Sequence, residues 1–371
     1  MIRGKVVIDS KTKDLVKRVR TGEIAVIDHP DLDQVAAESL VEKRVRAVFN
    51  LSASITGRYP ACGPQVLLKA AIPLIDVKQG ELFTILNDGD NIFFNNGKIY
   101  KNDKIIATGR EIEKESFIQM KDKAEENLET ELLNFIENTL YYARKEKSLV
   151  IRQRVPDIGV DLRGKQVLVV IRGPDYKNDL EVIKSYIREV RPYIIAVDGG
   201  ADACLERGYF PDIIIGDMDS VSDRALRLTK KVIVHAYPDG QAPGLERIKK
   251  MGLAYTIFPA PGTSEDLAML LAYEKGAALI TAVGSHSSML DFLEKGRKGM
   301  ASTFLVRLKI GNKLVDAKGV SKLYQRRVYT HYIFQIMLAV LLPLFIIILL
   351  SPPVNHFFQL LVLKIRLIFN F

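Results

Sequence analysis

Residues 196–220, AVDGGADACLERGYFPDIIIGDMDS, contain two similar motifs that indicate the fold of the domain around them. One apolar run ends in Asp198-Gly199-Gly200, and a second ends in Gly216-Asp217-Met218-Asp219-Ser220. Buried strands that end in glycine and carboxylate are typical of the carboxyl edge of an open α/β sheet, where ligands bind. An Asp beside Gly also caps turns, which would explain one such motif. Two in succession predict a ligand site, and carboxylates there suit Mg²⁺ with substrate phosphates.

The sequence around this stretch alternates strands and helices. Apolar runs predict strands at 166–171, 193–197, 212–215, 231–235, 254–258 and 277–283. Most of them end in Gly or Asp, which favours a doubly wound parallel sheet for an α/β domain over 151–320. Asp239 follows the fourth of these runs, and Thr263 or Ser264 is placed to start a helix after the fifth. Residues 307–315 predict a hairpin that turns at Gly311-Asn312.

Residues 1–112 form a separate unit with strands at 23–28 and 47–51 and a helix over 32–43. Asn87-Asp88-Gly89-Asp90 and Asn95-Asn96-Gly97 are hairpin signals. With Ala71-Ile72-Pro73-Leu74, this order resembles the swivelling β/β/α domain of phosphoenolpyruvate-utilising enzymes. Those domains carry a phosphorylatable histidine, whereas residues 54–64 contain none, which argues against phosphohistidine transfer.

The loop that contains Gly57, Arg58 and Tyr59 has two interpretations. It combines hydroxyls, glycines, an arginine and a tyrosine, which suit an anionic group. Alternatively it is a rigid loop in which Arg58 pairs with a carboxylate.

Residues 113–150 are predicted to form one long amphipathic helix. Apolar residues recur at gaps of three or four from Phe117 to Ala143, with no Gly or Pro between 113 and 147. At the standard rise such a helix is roughly 50 Å long. It is either a coiled-coil dimer stem or a helix that packs along both domains.

A membrane span is predicted from Tyr332 to Leu350, because these residues include no charge and nearly match the hydrocarbon core. Basic residues in and just before segment 321–331, namely Lys318, Lys322, Arg326 and Arg327, place the N-terminal side in the cytoplasm. The prediction is a single-pass protein of the cell membrane. The apolar tail, 351–371, is either an interfacial helix or a short extracytoplasmic segment.

Composition excludes several classes of protein. A length of 371 residues predicts two or three domains, and two cysteines provide no disulfide framework. The net charge of +9 comes without an aromatic-basic motif, so we expect no nucleic-acid partner. Five histidines make a histidine-metal enzyme a poor interpretation.

The α/β domain resembles the catalytic domain of thiamine pyrophosphokinase. The likeness lies in the two opening motifs, in Pro211-Asp212 and in Ser264-Glu265-Asp266-Leu267. It implies Mg²⁺ and ATP as cofactors. The implied metal ligands are Asp217 and Asp219, and the implied catalytic residues are Asp219 and Asp266. The implied nucleotide-binding residues are Asp198, Gly199, Gly200, Asp217, Ser220, Asp239, Thr263 and Ser264. The supporting cation is Arg172, Arg247, Lys295 or Arg297.

Two departures argue against thiamine as the acceptor. Thiamine pyrophosphokinases carry an Arg-x-Asp-His element after the strand that corresponds to 277–283, and here that place reads Gly284-Ser285-His286. The chain also has no tryptophan to stack on the thiamine rings.

Taken end to end, the chain resembles the SteA-like cytokinetic ring proteins of bacteria. The motifs are 57–60 (GRYP), 63–64 (GP), 237–240 (YPDG), 242–247 (APGLER), 290–297, 299–304 (GMASTF) and 315–320 (VDAKGV). The resemblance implies cell division and cell-wall remodelling, a small membrane-protein partner and membrane attachment; we also expect a homodimer. Two hypotheses follow: a membrane-anchored scaffold or sensor that binds a nucleotide or diphosphate, or an active diphosphokinase on an unknown hydroxyl acceptor.

Overall fold

The computed structural model describes residues 1–79, 81–151, 155–294, 296–323 and 330–369. Two compact units result, Met1–Lys322 and Leu323–Phe371. The first contains a barrel, a helical link and an α/β domain. The second is helical.

The barrel closes seven strands in the order β1-β2-β3-β4-β7-β6-β5. Strands β1 to β4 are parallel neighbours, and β5 to β7 complete the circle antiparallel. The strands are β1 Ile2–Ile8, β2 Ile24–Ile27, β3 Ala47–Asn50, β4 Leu74–Gln79, β5 Asn91–Asn95, β6 Lys98–Lys101 and β7 Lys104–Glu111. The helices are Thr12–Arg18, Gln34–Glu42, Gly63–Lys69 and Leu82–Ile85.

Alternating side chains give the barrel two cores. On β2, Ile24 and Val26 point into the barrel, while Ala25 and Ile27 pack against the outer helices. This is the period of two that a strand imposes. The bounds of β2, β3 and the helix Gln34–Glu42 confirm the strands predicted at 23–28 and 47–51 and the helix predicted over 32–43. The closure of the sheet into a barrel was not predicted.

One of the two predicted hairpin turns is correct. Asn96 and Gly97 have positive φ (48° and 74°) and join β5 to β6, as expected for a two-residue turn. The turn at Asn87–Asp90 is not a hairpin, because it links the helix Leu82–Ile85 to β5.

The link is not one continuous helix. It consists of Lys114–Glu126, Leu128–Glu146 and Ser148–Ile151. The interruption falls at Asn127, whose side-chain amide donates to the Gly57 carbonyl at 2.8 Å. The first piece buries Phe117 in the outer core of the barrel, and the second packs against helix Ala301–Ile310. The helical link thus packs along both domains, which was the second of the two predicted alternatives.

The α/β domain has a seven-stranded parallel sheet in the order β12-β11-β10-β9-β8-β13-β14. Its strands are β8 Gln166–Val170, β9 Tyr193–Val197, β10 Ile213–Gly216, β11 Lys231–Ala236, β12 Tyr255–Pro259, β13 Leu279–Val283 and β14 Leu314–Asp316. Its helices are Tyr176–Val182, Lys184–Val190, Gly200–Glu206, Asp223–Leu228, Leu245–Lys250, Ser264–Glu274, Met289–Glu294, Ala301–Ile310, the 3₁₀ turn Gly311–Lys313 and Ala317–Leu323.

Both faces of this sheet are covered. On β9, Ile195 and Val197 pack under the helix Ser264–Glu274, while Ile194 and Ala196 pack under the opposite layer. All six predicted strands are present, and the parallel α/β sheet is confirmed. The chain builds the sheet outward from β8 to β12 and then returns to β13 on the other side of β8, which creates a topological switch point.

The hairpin predicted for 307–315 is wrong. Residues Ala301–Ile310 are helical and Gly311–Lys313 is a 3₁₀ turn, so Leu314–Asp316 enters the sheet as a parallel strand beside β13. The hairpin prediction rested on the Gly311-Asn312 turn signal. The structure forms a helix before this turn instead, and the helix buries Val306 and Ile310, which are four residues apart and lie on one helical face.

The C-terminal unit contains the helices Thr330–Leu350 and Pro352–Phe369. By length and apolar composition, neither described helix qualifies alone as a membrane span, whereas Phe334–Ile347 and Pro352–Leu367, which meet at 78°, qualify as a bent pair. The predicted span Tyr332–Leu350 is thus helical, and its insertion in a membrane stays a prediction. Arg326 and Arg327 lie outside the described residues, as do residues 370–371 of the tail.

Candidate functional site

A cavity of about 670 Å³ lies between the α/β domain and the barrel. On the α/β side its walls are the residues that follow β8, β9, β10, β12 and β13, and on the barrel side those that follow β1 and β2. The carboxyl ends of two parallel strand arrays therefore face one space, which is where parallel sheets place ligands. The volume is within the range of small-molecule sites.

Asp198 occupies the end of β9 in a constrained conformation. Its φ is +45°, a left-handed value that is uncommon for a residue with a side chain, and its Oδ1 accepts a hydrogen bond from the Met218 amide at 3.0 Å. Gly216 ends β10 beside it, and a Cβ there would overlap the Asp198 carboxylate. The glycine is therefore needed for the carboxylate to lie across the ends of β9 and β10.

The charge of Asp198 is held in an unfavourable setting. Burial and, after it, the negative charge of the adjacent Asp217 together raise its pKa to about 7, against the hydrogen bonds from the Met218 and Asp217 amides, which lower it. Two carboxylates held together at a cavity wall favour a cation between them. Strongly shifted carboxylates in a cavity are also typical of functional sites.

The residues present fit Mg²⁺ held by two carboxylates. Asp198 and Asp217 both line the cavity. Among the described residues there is no group of three or more candidate ligands, but Mg²⁺ takes only one or two carboxylates when phosphates complete its shell. The predicted partner Asp219 does not line the cavity; its amide donates to Asp217 Oδ1 at 3.0 Å. The structure thus pairs Asp217 with Asp198 instead.

Two of the four candidate cations face the cavity. Arg172 follows β8 and Arg297 follows the helix Met289–Glu294, and both line the space. Arg247 instead donates to the carbonyls of Met218 and Val221 and pairs with Asp223, so it holds the loop that carries Asp217. Lys295 lies outside the described residues.

The predicted nucleotide-binding residues divide into two groups. Gly199, Ser220, Thr263 and Ser264 line the cavity with Asp198 and Asp217. Gly200 and Asp239 do not. Gly200 packs against β8, where a Cβ would overlap the Val170 carbonyl, and Asp239 is exposed in a turn and accepts from the Gln241 amide.

Asp266 is placed differently from the catalytic role predicted for it. Thr263 caps the helix Ser264–Glu274 through the Asp266 amide, and Asp266 Oδ2 accepts from the hydroxyls of Thr263, Ser302 and Thr303 at 2.7–3.0 Å. The residue is 1% exposed, does not line the cavity, and has a pKa raised by burial. Its position ties this helix to Ala301–Ile310.

The neighbouring Glu265 takes the cavity side. Its Oε1 accepts from the His286 amide at 3.0 Å and its Oε2 contacts His286 Nδ1 at 2.9 Å, and both residues line the cavity. A carboxylate on Nδ1 fixes the orientation of the imidazole ring. We missed this pair from the sequence because Glu265 and His286 are 21 residues apart.

The loop with Gly57, Arg58 and Tyr59 contacts the helical link through its arginine and a hydrophobic cluster through its tyrosine. Arg58 pairs with Glu131 at 3.1 Å, which is the second interpretation given for it. Tyr59 is buried in a cluster with Ala61, Phe135, Phe292 and Leu293. The loop therefore joins the barrel to the helical link and to the segment that carries Arg297.

The barrel wall of the cavity was not predicted. It includes Ser10, Lys11, Lys13 and Lys17 after β1, and Asp28, His29 and Asp33 after β2. These residues could have been found from the sequence because they follow apolar strands, which is the pattern that identified Asp198.

Two family models match the chain. The thiamin pyrophosphokinase catalytic domain matches residues 184–243, which include Asp198 and Asp217. The SteA-like C-terminal domain matches residues 318–369.

Individual relatives match only parts of their own length. The 6-hydroxymethyl-7,8-dihydropterin pyrophosphokinase of Methanocaldococcus jannaschii is 32% identical over 94 residues, which are 24% of this chain and 37% of that protein. The crystal structure of thiamine pyrophosphokinase from Bacillus subtilis is 23% identical, with a TM-score of 0.26 over 41% of this chain and 60% of that one. The chain thus spans just over a third of the first relative and three fifths of the second.

Asp198 and Asp217, which line the cavity, lie in the segment that matches the thiamin pyrophosphokinase catalytic domain. The C-terminal helices lie in the segment that matches the SteA-like C-terminal domain. The chain therefore combines a thiamin pyrophosphokinase-like catalytic segment with a SteA-like C-terminal domain, which confirms the resemblance predicted from its sequence.

Proposed function

We propose that this chain binds a nucleotide or diphosphate ligand with Mg²⁺ in the cavity between its two domains. The observation that carries the proposal is the pairing of Asp198 with Asp217 across the ends of β9 and β10. Burial and, after it, the charge of Asp217 raise the pKa of Asp198, and a bound cation would relieve the repulsion between the two carboxylates.

The cavity walls supply the other contacts that phosphates need. Within the described residues, Arg172 and Arg297 form no ion pair, so both guanidinium groups are available to phosphate oxygens. Gly199 allows backbone to approach the ligand, and Thr263 and Ser264 line the same wall, although the Thr263 hydroxyl already donates to Asp266 and the Ser264 hydroxyl is bonded to His235. When bound, Mg²⁺ would neutralise phosphate charge between Asp198 and Asp217.

The first candidate activity is binding without turnover, as a scaffold or sensor. The second is diphosphoryl transfer to a hydroxyl acceptor. The acceptor oxygen would attack the β-phosphorus of ATP while the bond from that phosphorus to the α-bridging oxygen breaks, so that AMP leaves and the hydroxyl proton passes to a base. The observation that favours the second candidate is the Glu265–His286 pair on the cavity wall.

Turnover separates the two candidates. The full-length chain with Mg²⁺ and ATP would be assayed for AMP and ADP in the presence of pools of hydroxyl-bearing metabolites. AMP release that depends on a pool and is lost in Glu265→Gln would establish the transferase, and binding without any AMP release would establish the scaffold or sensor.

We further propose that the chain is anchored in the cell membrane by a single pass at Tyr332–Leu350, with residues 1–322 in the cytoplasm. The support is the apolar run and the basic residues before it, Lys318 and Lys322. A role in bacterial cell division, as a homodimer with a small membrane-protein partner, rests on the SteA-like resemblance and on the match over residues 318–369. Removal of residues 330–371 should release the protein from membranes, and retention there would contradict the anchor.

A further inference from the structure

The barrel contributes three lysines to the cavity wall, beside the acidic Asp28 and Asp33. The α/β wall carries Asp198 and Asp217, whereas the barrel wall carries Lys11, Lys13 and Lys17 within one short segment after β1. A Mg²⁺-bound phosphate chain is suited to the carboxylates. Lysines across the same cavity are suited to an anion that carries no metal.

The acidic residues near the lysines are already engaged. Arg18 pairs with Asp9 and Asp88, Lys17 pairs with Asp14 at 2.8 Å, and the Asp28 carboxylate accepts from the Ser52 hydroxyl. In the part of the chain that the structure describes, Lys11 and Lys13 have no carboxylate within ion-pair distance.

One aspartate therefore faces three lysines. The hydrogen bond from Lys17 lowers the pKa of Asp14, and the charges of Lys13 and Lys11 lower it further. The segment thus keeps an excess of positive charge at the cavity.

The barrel wall is also held in place. Thr12 Oγ1 lies 2.9 Å from His29 Nδ1, and His29 Nε2 lies 3.3 Å from the Asp33 carboxylate. The buried Asn50 accepts from the His29 amide at 2.9 Å and donates to the His29 carbonyl at 2.8 Å. These bonds join the segments after β1, β2 and β3, so the wall is preorganised for a ligand.

We propose that Lys11 and Lys13 bind the phosphate group of a second, phosphate-bearing ligand opposite Asp198 and Asp217. This rests on the proposed function for the assignment of the first ligand, the Mg²⁺-nucleotide. The α/β wall thus binds the nucleotide, and the barrel selects the second ligand. The chain would then bind two ligands, a nucleotide with Mg²⁺ and a phosphorylated small molecule.

The test uses inorganic diphosphate as the probe on the full-length chain, purified in detergent and freed of Mg²⁺ by chelation. Without metal the Asp198–Asp217 pair repels the probe, whereas Arg172 and Arg297 remain able to attract it, so the contribution of the lysines is measured by the difference between the wild type and the lysine variant. Calorimetry compares the wild type with the double variant Lys11→Gln/Lys13→Gln. The matched control is Lys5→Gln/Lys69→Gln, two exposed lysines that do not line the cavity.

We expect the Lys11/Lys13 variant to bind diphosphate about tenfold more weakly, or worse, because each lysine forms a charge-assisted contact, and the control to match the wild type. Equal affinity in both double variants, or no binding to the wild type, overturns the inference. ATP with Mg²⁺ is titrated separately into the wild type. If ATP fails to bind while lysine-dependent diphosphate binding persists, the proposed function fails and the second site stands.

Discussion

The carboxylate of Asp198 lies against the backbone of Gly216, in the space that a Cβ on that glycine would fill. Asp198 directly follows β9 and Gly216 ends β10, so the contact joins the carboxyl ends of these two neighbouring strands. A hydrogen bond from the Met218 amide to the Asp198 carboxylate also fixes the position of this carboxylate.

Gly216→Ala should displace Asp198 and weaken Mg²⁺-dependent nucleotide binding by at least about tenfold, because the added methyl group and the carboxylate occupy the same space. Titration calorimetry measures the effect. Gly311→Ala is the control, since a Cβ at Gly311 meets nothing within 4 Å. Unchanged affinity in Gly216→Ala would show that the Asp198 contact has no role in binding.

Stability should depend on pH through Asp198. Its folded-state pKa of about 7 lies above the ordinary 3.8, so between these values the folded chain binds more protons than the unfolded chain. The free energy of unfolding therefore falls as the pH rises from about 4 to about 7, by an amount on the order of 4 kcal/mol.

Urea unfolding of metal-free protein at several pH values measures this dependence. Asp198→Asn should flatten it relative to the wild type, and the exposed Asp122→Asn should not. Mg²⁺ should restore stability above pH 7 in the wild type. A pH profile that Asp198→Asn leaves unaltered would rule out the shifted carboxylate.

Tyr59 should contribute to the stability of the fold and not to anion binding. Tyr59→Ala removes a buried ring from the cluster with Phe135 and Phe292, and we expect a loss of about 3–5 kcal/mol in the free energy of unfolding. Arg58→Ala breaks only a surface ion pair, so its cost should be under about 1 kcal/mol. Denaturant unfolding distinguishes the two, and equal small losses would contradict the buried cluster.

Asp266 should also act through stability. Asp266→Ala leaves the buried hydroxyls of Ser302 and Thr303 without their shared acceptor, and a loss of roughly 2–4 kcal/mol follows. Asp266→Asn keeps an oxygen acceptor and should lose less. If thermal unfolding shows no loss in Asp266→Ala, the three-hydroxyl contact is not what holds this helix to its neighbour.

The sequence predicted the parts of the site that follow from local pattern. Asp198 and Asp217 were identifiable because each follows a buried strand, and parallel strands bring their carboxyl ends to one edge. The roles of Glu265 and Asp266 were not separable, because adjacent helical residues point about 100° apart and composition does not say which faces the ligand.

Long-range packing accounts for the rest. Glu131, the partner of Arg58, is 73 residues away along the chain, and Asn127 interrupts the predicted long helix through a bond to Gly57, 70 residues away. Lys11 and Lys13 became candidates only when the barrel and the α/β domain were seen to share one cavity. The packing of the two domains against each other cannot be predicted from the periodicity of apolar residues in the sequence.

We propose that Asp198 and Asp217 bind a nucleotide through Mg²⁺. The most direct test of this proposal is calorimetric titration of ATP into the full-length chain with and without Mg²⁺, for the wild type, Asp217→Asn and the exposed control Asp122→Asn. We expect Mg²⁺-dependent binding by the wild type and by the control, and no binding by Asp217→Asn. Mg²⁺-independent binding, or equal binding by Asp217→Asn, would contradict it.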